Sequence, residues 1–521
     1  MSATIFNPYF HNFSDDALHV LVDLSVLHPK GENGGLKHFL LETLRWLGTQ
    51  TDFPLRFTYL VSPKFHGELK SIQRPGDRIV SVRRSGEPLA ELPGTWRTGD
   101  YLFWPPPLDL ALQVKADVVY APMISMEFAC PGIPTVGFVA DVLHRDFPAS
   151  CRADELERRE EQFQEIIQIS NRIQCISQFG MDRLHLHYPA SRGRTFFTHV
   201  AIHDRLGDNT SKLAPAGLPT GPFFFYPANA WGHKNHEGLL AAYRAYRLQA
   251  AAPLWELVLT GNHDERMDRI LRLARFLEID QHVHYLGYLS SEELSYVWQQ
   301  AGALVFPSRY EGFGIPPTEA MHYEIPVVSS QDASLPEVIG DAGLMFNPAE
   351  PGQFAGALEQ IAGSAQLRSD LVTRGRNRLI GFSIAAESAK LLAALRSAAR
   401  EPAESFWRGA DKMGVLEDRF VVGLPPRHGA SEVAITFAVP DYPGRVRLYQ
   451  ELEPLGSFLV PADAPPTLRV LIAAHARTLI IEPIETPNPV VGEPPQQLVL
   501  KEIILSAAKG QGEPIGLFYS Q

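Results

Sequence analysis

Cysteine is nearly absent: the 521 residues contain only Cys130, Cys151 and Cys175. So odd and sparse a set builds no disulfide framework and shows no zinc-ligand spacing, which points to a reducing compartment. No apolar run approaches the ~18 residues that a membrane-spanning helix needs. The opening residues, MSATIFN, carry neither a basic stretch nor an apolar core, so no secretory signal is expected. A surplus of positive charge is also missing. Lys and Arg number 47 against 59 Asp and Glu, a formal charge of −12, whereas nucleic-acid partners call for a basic face. There is no low-complexity tract and no repeat longer than a strand–helix unit. A cytoplasmic protein without a nucleic-acid partner is therefore expected. A peripheral contact at the inner face of a membrane is left open, with 101–107 and 183–194 as its apolar and basic segments. Both read more simply as surface or helix.

What is present is an ordinary globular composition, 45% hydrophobic and 10% aromatic, in a chain too long for one core, since single domains stop near ~250 residues. Short apolar runs at 18–24, 55–61, 118–120, 135–139, 172–176 and 196–200 alternate with helical periodicity, as at 36–47 and 155–169. The alternation recurs at 223–226, 257–260, 283–286, 303–306, 326–329 and 344–346, with helices expected over 237–248, 264–277 and 291–301. Such order predicts two parallel, doubly wound α/β sheets. Segment 206–222 reads as the linker between them. Beyond about 410 the period changes to two, in 431–439, 446–448, 468–472, 478–482, 498–505 and 516–519, with Pro-rich turns between. That pattern predicts a small β-sandwich.

The chemistry concentrates at 305–320, VFPSRYEGFGIPPTEA. An apolar strand ends at Phe306, so the following loop lies beyond its carboxyl end, where open α/β sheets bind ligands. Gly312 and Gly314 flank Phe313 and permit close backbone approach. Ile315, Pro316 and Pro317 open a helix whose free N–H groups favour an anion such as a diphosphate. Glu311 and Glu319, eight positions apart, can reach two hydroxyl clusters of one ligand.

This segment, with PVVSS at 326–330 and SLPEVIGDAG at 334–343, resembles the Glu-x7-Glu signature of retaining glycosyltransferases of family 4. The resemblance covers about 15–400 and implies the GT-B fold, two facing Rossmann-like domains. Here those are an acceptor domain (1–205) and a nucleotide-sugar donor domain with a closing helix (223–400), followed by the β-sandwich (410–521). By the same resemblance, YPANAWGHKNHE at 226–237 supplies Lys234 against the donor's diphosphate. No arginine stands at the usual upstream place, leaving Asn229 or His233 to substitute. Tyr288 and Leu289, after the strand at 283–286, are candidates for the base pocket, and Thr260–Gly261–Asn262 form another cleft loop. Gly34 and Gly35 resemble a glycine-rich loop that approaches the donor. VGFVADVLHRDFP at 136–148 resembles a segment with His-Asp after its strand, yet Ala140 stands at the histidine position. Asp141 or His144 then covers that role, or the substrate differs, or activity is low. Ser177 resembles a helix cap.

The resemblance implies transfer of a sugar from a nucleotide diphosphate sugar to a hydroxyl of a glycan or lipid-linked saccharide in bacterial polysaccharide synthesis. GDP-mannose is the first expectation for the donor and a UDP-sugar the next. Glu311 would hold the donor sugar, Glu319 the ribose, and Lys234 the developing phosphate charge; no metal or cofactor is implied. A glycan-binding or scaffold protein, inactive through Ala140, is the alternative from another class. An epimerase or phosphorylase on the same architecture fits less well. Linkage, acceptor and oligomeric state are not legible, and for the tail a stabilising cap and a glycan-binding module stand equal.

Overall fold

The computed structural model describes residues 17–29, 34–82, 101–103, 108–201, 212–249, 251, 253–404, 406–410, 416–425, 430–438, 444–462, 466–484, 498–507 and 513–514. The first domain is an eight-stranded sheet of β1 (Leu18–Leu24), β2 (Leu55–Val61), β3 (Arg78–Val82), β4 (Tyr101–Phe103), β5 (Val118–Tyr120), β6 (Thr135–Val139), β7 (Arg172–Cys175) and β8 (Thr195–Phe197). Its order is β4-β3-β2-β1-β5-β6-β7-β8, with every described pairing parallel. The second is a six-stranded parallel sheet of β9 (Phe223–Pro227), β10 (Glu256–Thr260), β11 (Val283–Tyr285), β12 (Ala303–Phe306), β13 (Val327–Ser330) and β14 (Gly343–Phe346). Its order is β11-β10-β9-β12-β13-β14. The winding reverses between β1 and β5 and between β9 and β12, and at such switch points adjacent loops diverge and leave a crevice.

Except that the run at 196–200 stops at Phe197, the expected strands appear within a residue or two, because parallel strands covered on both faces read as unbroken apolar runs. Phe223, Phe224, Phe225 and Tyr226, for instance, are all buried. Strands β3 and β4 were not foreseen. The first, RIVSV, mixes polar residues into a short run; the second falls in the stretch weighed as a membrane segment, of which 104–107 lie outside the described residues. In 183–194 two of the three arginines are tied inward, Arg183 to Asp146 and Arg194 to the carbonyls of Ser170 and Ile167, while Arg192 is exposed. Among the described residues no helix is long and apolar enough to cross a membrane.

The closing helix, Ile384–Ala398, crosses back to the first domain. Its Leu391 and Leu395 pack with Val20, Val22 and Leu24 of β1 and Leu40 and Leu44 of the helix Gly34–Gly48.

The tail forms two antiparallel sheets. One contains β15 (Trp407–Ala410), β16 (Leu416–Gly423), β18 (Gly444–Gln450), β19 (Glu453–Val460) and β21 (Thr478–Ile484). The other contains β17 (Ser431–Phe437), β20 (Thr467–Ile472), β22 (Leu500–Ala507) and β23 (Glu513–Pro514). Phe420, Val422 and Ile481 meet Ile435, Phe437 and Ile503 between the sheets, which makes a sandwich. The expected run at 516–519 and the turn at 487–495 lie outside the described residues.

Alternation along β16 and β21 sends Val421 and Ile480 out of the opposite face. There they join Leu21, Leu60, Val80, Val82 and Leu110 of the first domain in one buried cluster. The approach is close enough that a Cβ on Gly132 would lie 2.5 Å from the Arg477 carbonyl oxygen, and one on Gly423 would lie 2.9 Å from the Gly132 nitrogen. The sandwich thus takes the place of a helical layer on that face of the first sheet.

Candidate active site

Strand β12 ends at Phe306, and the loop beyond it is held from several sides. The Ser330 hydroxyl donates to the Ser308 carbonyl. The Ser334 hydroxyl contacts the carbonyls of Glu311 and Phe313, both at 2.9 Å. Gly314, at φ +104°, then turns the chain into the helix Ile315–His322 with Pro316 and Pro317 in its first turn. That positive φ is glycine's region. Glu319 sits on this helix, 3% exposed.

The neighbouring strand β9 delivers the second loop. Asn235, left-handed at φ +57°, donates from its amide to the Pro307 carbonyl, 3.1 Å, and the Tyr226 hydroxyl donates to the Lys234 carbonyl, 2.6 Å. These bonds aim Lys234 at the β12 loop, where its ammonium lies 2.6 Å from Glu311 Oε1, the two side chains 14% and 12% exposed. The expected cation and carboxylate therefore meet, and they come from adjacent strands at the switch point.

The first domain closes on this loop. The Ser177 hydroxyl caps its helix by accepting from the Gly180 amide, 2.9 Å, and donates to the Gly312 carbonyl, 2.6 Å. Tyr310 donates to Asp146, 3.0 Å, and accepts from the Val142 amide, 3.3 Å. A Cβ on Gly312 would lie 2.4 Å from the Ala140 carbonyl oxygen and 3.2 Å from the Asp141 Cβ. What residue 140 presents to the loop is thus main chain. Gly312→Ala is expected to push the domains apart and cut turnover about 10²-fold, as a misplacement near 1 Å does. Melting temperature should change little, and unchanged turnover would show that closure does not involve this contact.

The remaining candidates divide. Asp141 reaches the loop, accepting from the Leu143 amide at 2.9 Å with Arg159 at 3.9 Å. His144 does not: its side chain is 2% exposed, bonded to the Tyr188 hydroxyl at 2.8 Å and packed on Phe163. The expectation that it covers the missing histidine is corrected, because the helix Leu143–Asp146 turns it into the first domain's own core. Burial, then the charges of Lys234, Arg159 and Arg266, push His233 down to about 3. It is neutral near pH 7 and supplies no positive charge for a phosphate. Asn229 is used to tie two loops together, accepting from the Asn262 amide at 2.8 Å beside Gly261. Tyr288 is 64% exposed, and Leu289 packs against the second core. Gly34 and Gly35 open the helix Gly34–Gly48, and residues 30–33 before them lie outside the described residues.

Sequence reasoning missed Arg159, whose charge is felt by both His144 and His233. It also missed Tyr310 and Ser334. Arg159 lies in a charge-rich helical run, ADELERREEQ, where nothing marks one arginine as facing the cleft. Among the described residues no group of three or more His, Cys, Asp or Glu could hold a metal ion.

Two facing parallel α/β domains with paired loops at their switch points constitute the GT-B architecture. Residues 211–378 match the family model described as Glycosyl transferases group 1. The chain is 35% identical over 150 residues to the O-antigen chain mannosyltransferase B of Escherichia coli, 29% of this chain and 39% of that relative. The match thus spans well under half of the relative. Among solved structures, sucrose-phosphate synthase of Thermosynechococcus elongatus aligns with a TM-score of 0.54 at 16% identity, over 73% of this chain and 98% of that one. The Anabaena protein HepE, solved with UDP and glucose, aligns at 0.52 and 15% identity, over 73% and 100%. These two likenesses concern the fold.

Proposed function

We propose that the chain is a retaining glycosyltransferase that moves a sugar from a nucleotide diphosphate sugar to a hydroxyl of a glycan or lipid-linked saccharide in bacterial polysaccharide synthesis. The observation that carries this reading is the Lys234–Glu311 pair at 2.6 Å, where two loops meet beside the N-terminus of the helix Ile315–His322. A bound donor would take both partners, its diphosphate the ammonium and its sugar hydroxyls the carboxylate. Glu319 would hold the ribose.

In the reaction, the bond from the anomeric carbon to the diphosphate oxygen breaks, and the acceptor oxygen bonds to that carbon on the same face. The acceptor proton passes to the departing phosphate. Negative charge grows on the phosphate, so Lys234, loop amides and the helix N-terminus stabilise the transition state more than the ground state. Closure of the first domain on Gly312 keeps water from the donor. GDP-mannose is the first donor to test, in keeping with the name of the Escherichia coli relative, and UDP-sugars follow. The setting proposed is the cytoplasm, at the inner face of a membrane when the acceptor is lipid-linked.

The test is a thermal-shift screen against UDP, GDP, ADP and their sugar conjugates, repeated on Glu319→Ala. Selective binding to the native state raises stability by about 2.7 kcal/mol at a hundredfold excess over Kd. A shift with one base, lost in the variant, is expected. No shift from a well-folded sample would overturn the reading and favour the inactive scaffold.

A further inference from the structure

His199 lies two residues beyond β8, at the edge of the first domain. Its Nε2 is 2.8 Å from Glu337 Oε1, its Nδ1 is 3.7 Å from Glu387 Oε1, and its backbone amide donates to Glu387 Oε2 at 2.9 Å. The two carboxylates come from different places. Glu337 belongs to the second domain's helix Leu335–Ile339, directly after the Ser334 that holds the glycine loop. It also accepts from the amides of Gln178 and Phe179, both 2.8 Å, at the N-terminus of a first-domain helix. Glu387 belongs to the closing helix. The imidazole ring is boxed by Phe197 at 5.2 Å, Phe382 at 5.2 Å and Phe313 at 5.8 Å. Phe313 is the residue between Gly312 and Gly314, so this ring touches the loop that carries Glu311.

Neutral imidazole donates at one nitrogen and accepts at the other, whereas an ionised carboxylate only accepts. Nε2 is within hydrogen-bond distance of Glu337, and Glu387 stands off Nδ1 at ion-pair rather than hydrogen-bond distance, so the two negative charges together favour the doubly protonated ring. We propose that His199, as its imidazolium, is a positioning residue that latches the two domains around the glycine loop. The site is then complete only while this histidine keeps its proton. The loop's part in catalysis rests on the transferase reading; the latch does not.

The surroundings agree. Burial pulls the His199 pKa down from 6.5, but the hydrogen bonds and charges of Glu337 and Glu387 outweigh it and leave the value raised. Burial pushes Glu337 up, yet His199 and the two amides hold it below the usual carboxylate range. Burial, His199 and Lys390 act in the same way on Glu387. The other charges at the cluster are Lys390, 2.7 Å from Glu387 Oε2, and Arg378, which donates to the carbonyls of Glu337 and Val338 and stacks on Phe382. A group whose pKa is raised by folding contributes stability that is full below its unfolded value and is lost as pH climbs through the folded one. The latch is therefore shut on the acid side of that value and releases above it.

The experiment is small-angle scattering of the full chain between about pH 6 and pH 9, alongside an NMR titration of the His199 ring assigned with His199→Gln. The radius of gyration is expected to grow with a midpoint matching the His199 titration, and His199→Gln should abolish that pH dependence. In turnover assays His199→Gln should lower kcat/KM about tenfold at the acid end, within the range of coupling between a switch and a site. It should also remove the alkaline limb, and His199→Lys should move that limb upward. A radius constant with pH, or a midpoint apart from the His199 titration, overturns the proposal; wild type alone decides this even if a variant fails to fold. Turnover absent with every donor while the radius still follows His199 would sink the transferase reading and leave the latch standing.

Discussion

Lys234→Ala is expected to lower turnover by about 10²–10³, the loss typical when one preorganised stabiliser of developing charge is removed. The reason is positional. Asn235 and Tyr226 fix the backbone on either side of the lysine's approach, so its ammonium is already within 2.6 Å of Glu311, the carboxylate that the phosphate of the proposed donor would replace. On the transferase reading, little reorganisation is then needed when charge develops. Stability should fall as well, because the pair is mostly buried and the deletion leaves the Glu311 carboxylate without its cation. Lys234→Arg should not restore the rate. A planar guanidinium does not replace a compact ammonium seated over the Phe306 ring. The measurement is steady-state turnover with the donor chosen by the thermal-shift screen, together with a melting curve. Turnover preserved in a variant with lowered melting temperature would assign Lys234 to structure alone.

Ending the chain at residue 404 is expected to produce an aggregating or unfolding first domain, even though both parallel sheets remain whole. The cut uncovers Leu60, Val80, Val82 and Leu110, against which Val421 and Ile480 are packed. Burial of side chains of that size is worth about 1.5–3 kcal/mol each. A point substitution tests the same interface more gently. Asp109 is fully buried in the first domain and accepts from Arg419 of the sandwich at 2.7 Å. Arg419→Ala leaves that carboxylate without its guanidinium, which typically costs about 3–5 kcal/mol. Arg408 makes a parallel tie to Glu165 and to the Met126 carbonyl, at 2.6 and 2.9 Å. The check is solubility and denaturant unfolding of both forms. A soluble 1–404 chain with an unchanged midpoint would make the sandwich an independent module and reopen glycan binding as its role.

The fold was legible where local pattern and burial coincide. Strands covered on both faces leave apolar runs such as FFFY at 223–226, and the switch to period two marks where the sandwich begins. The same logic was available for the sandwich's docking face. FVV at 420–422 and LII at 479–481 are apolar on both faces, which a one-sided antiparallel sheet does not need. The placement of the loops was legible too, since the glycines, prolines, Lys234 and Glu311 follow strand ends that any parallel sheet turns toward its crevice, with Glu319 on the helix just beyond.

Sequence by itself thus determined the kinds of domain, the loops that meet and the residue types they carry. It did not determine where a side chain points once it leaves the strand end. His144 and Asp141 are three positions apart, yet one is sealed against Tyr188 and the other touches the glycine loop. Tyr310 reaches Val142 across 168 positions, and His199 reaches Glu337 across 138. Those orientations are set by packing between distant segments, so only the tertiary structure decided that residue 140 offers a carbonyl to Gly312, that the sandwich is a layer of the first domain, and that one histidine bridges the domains.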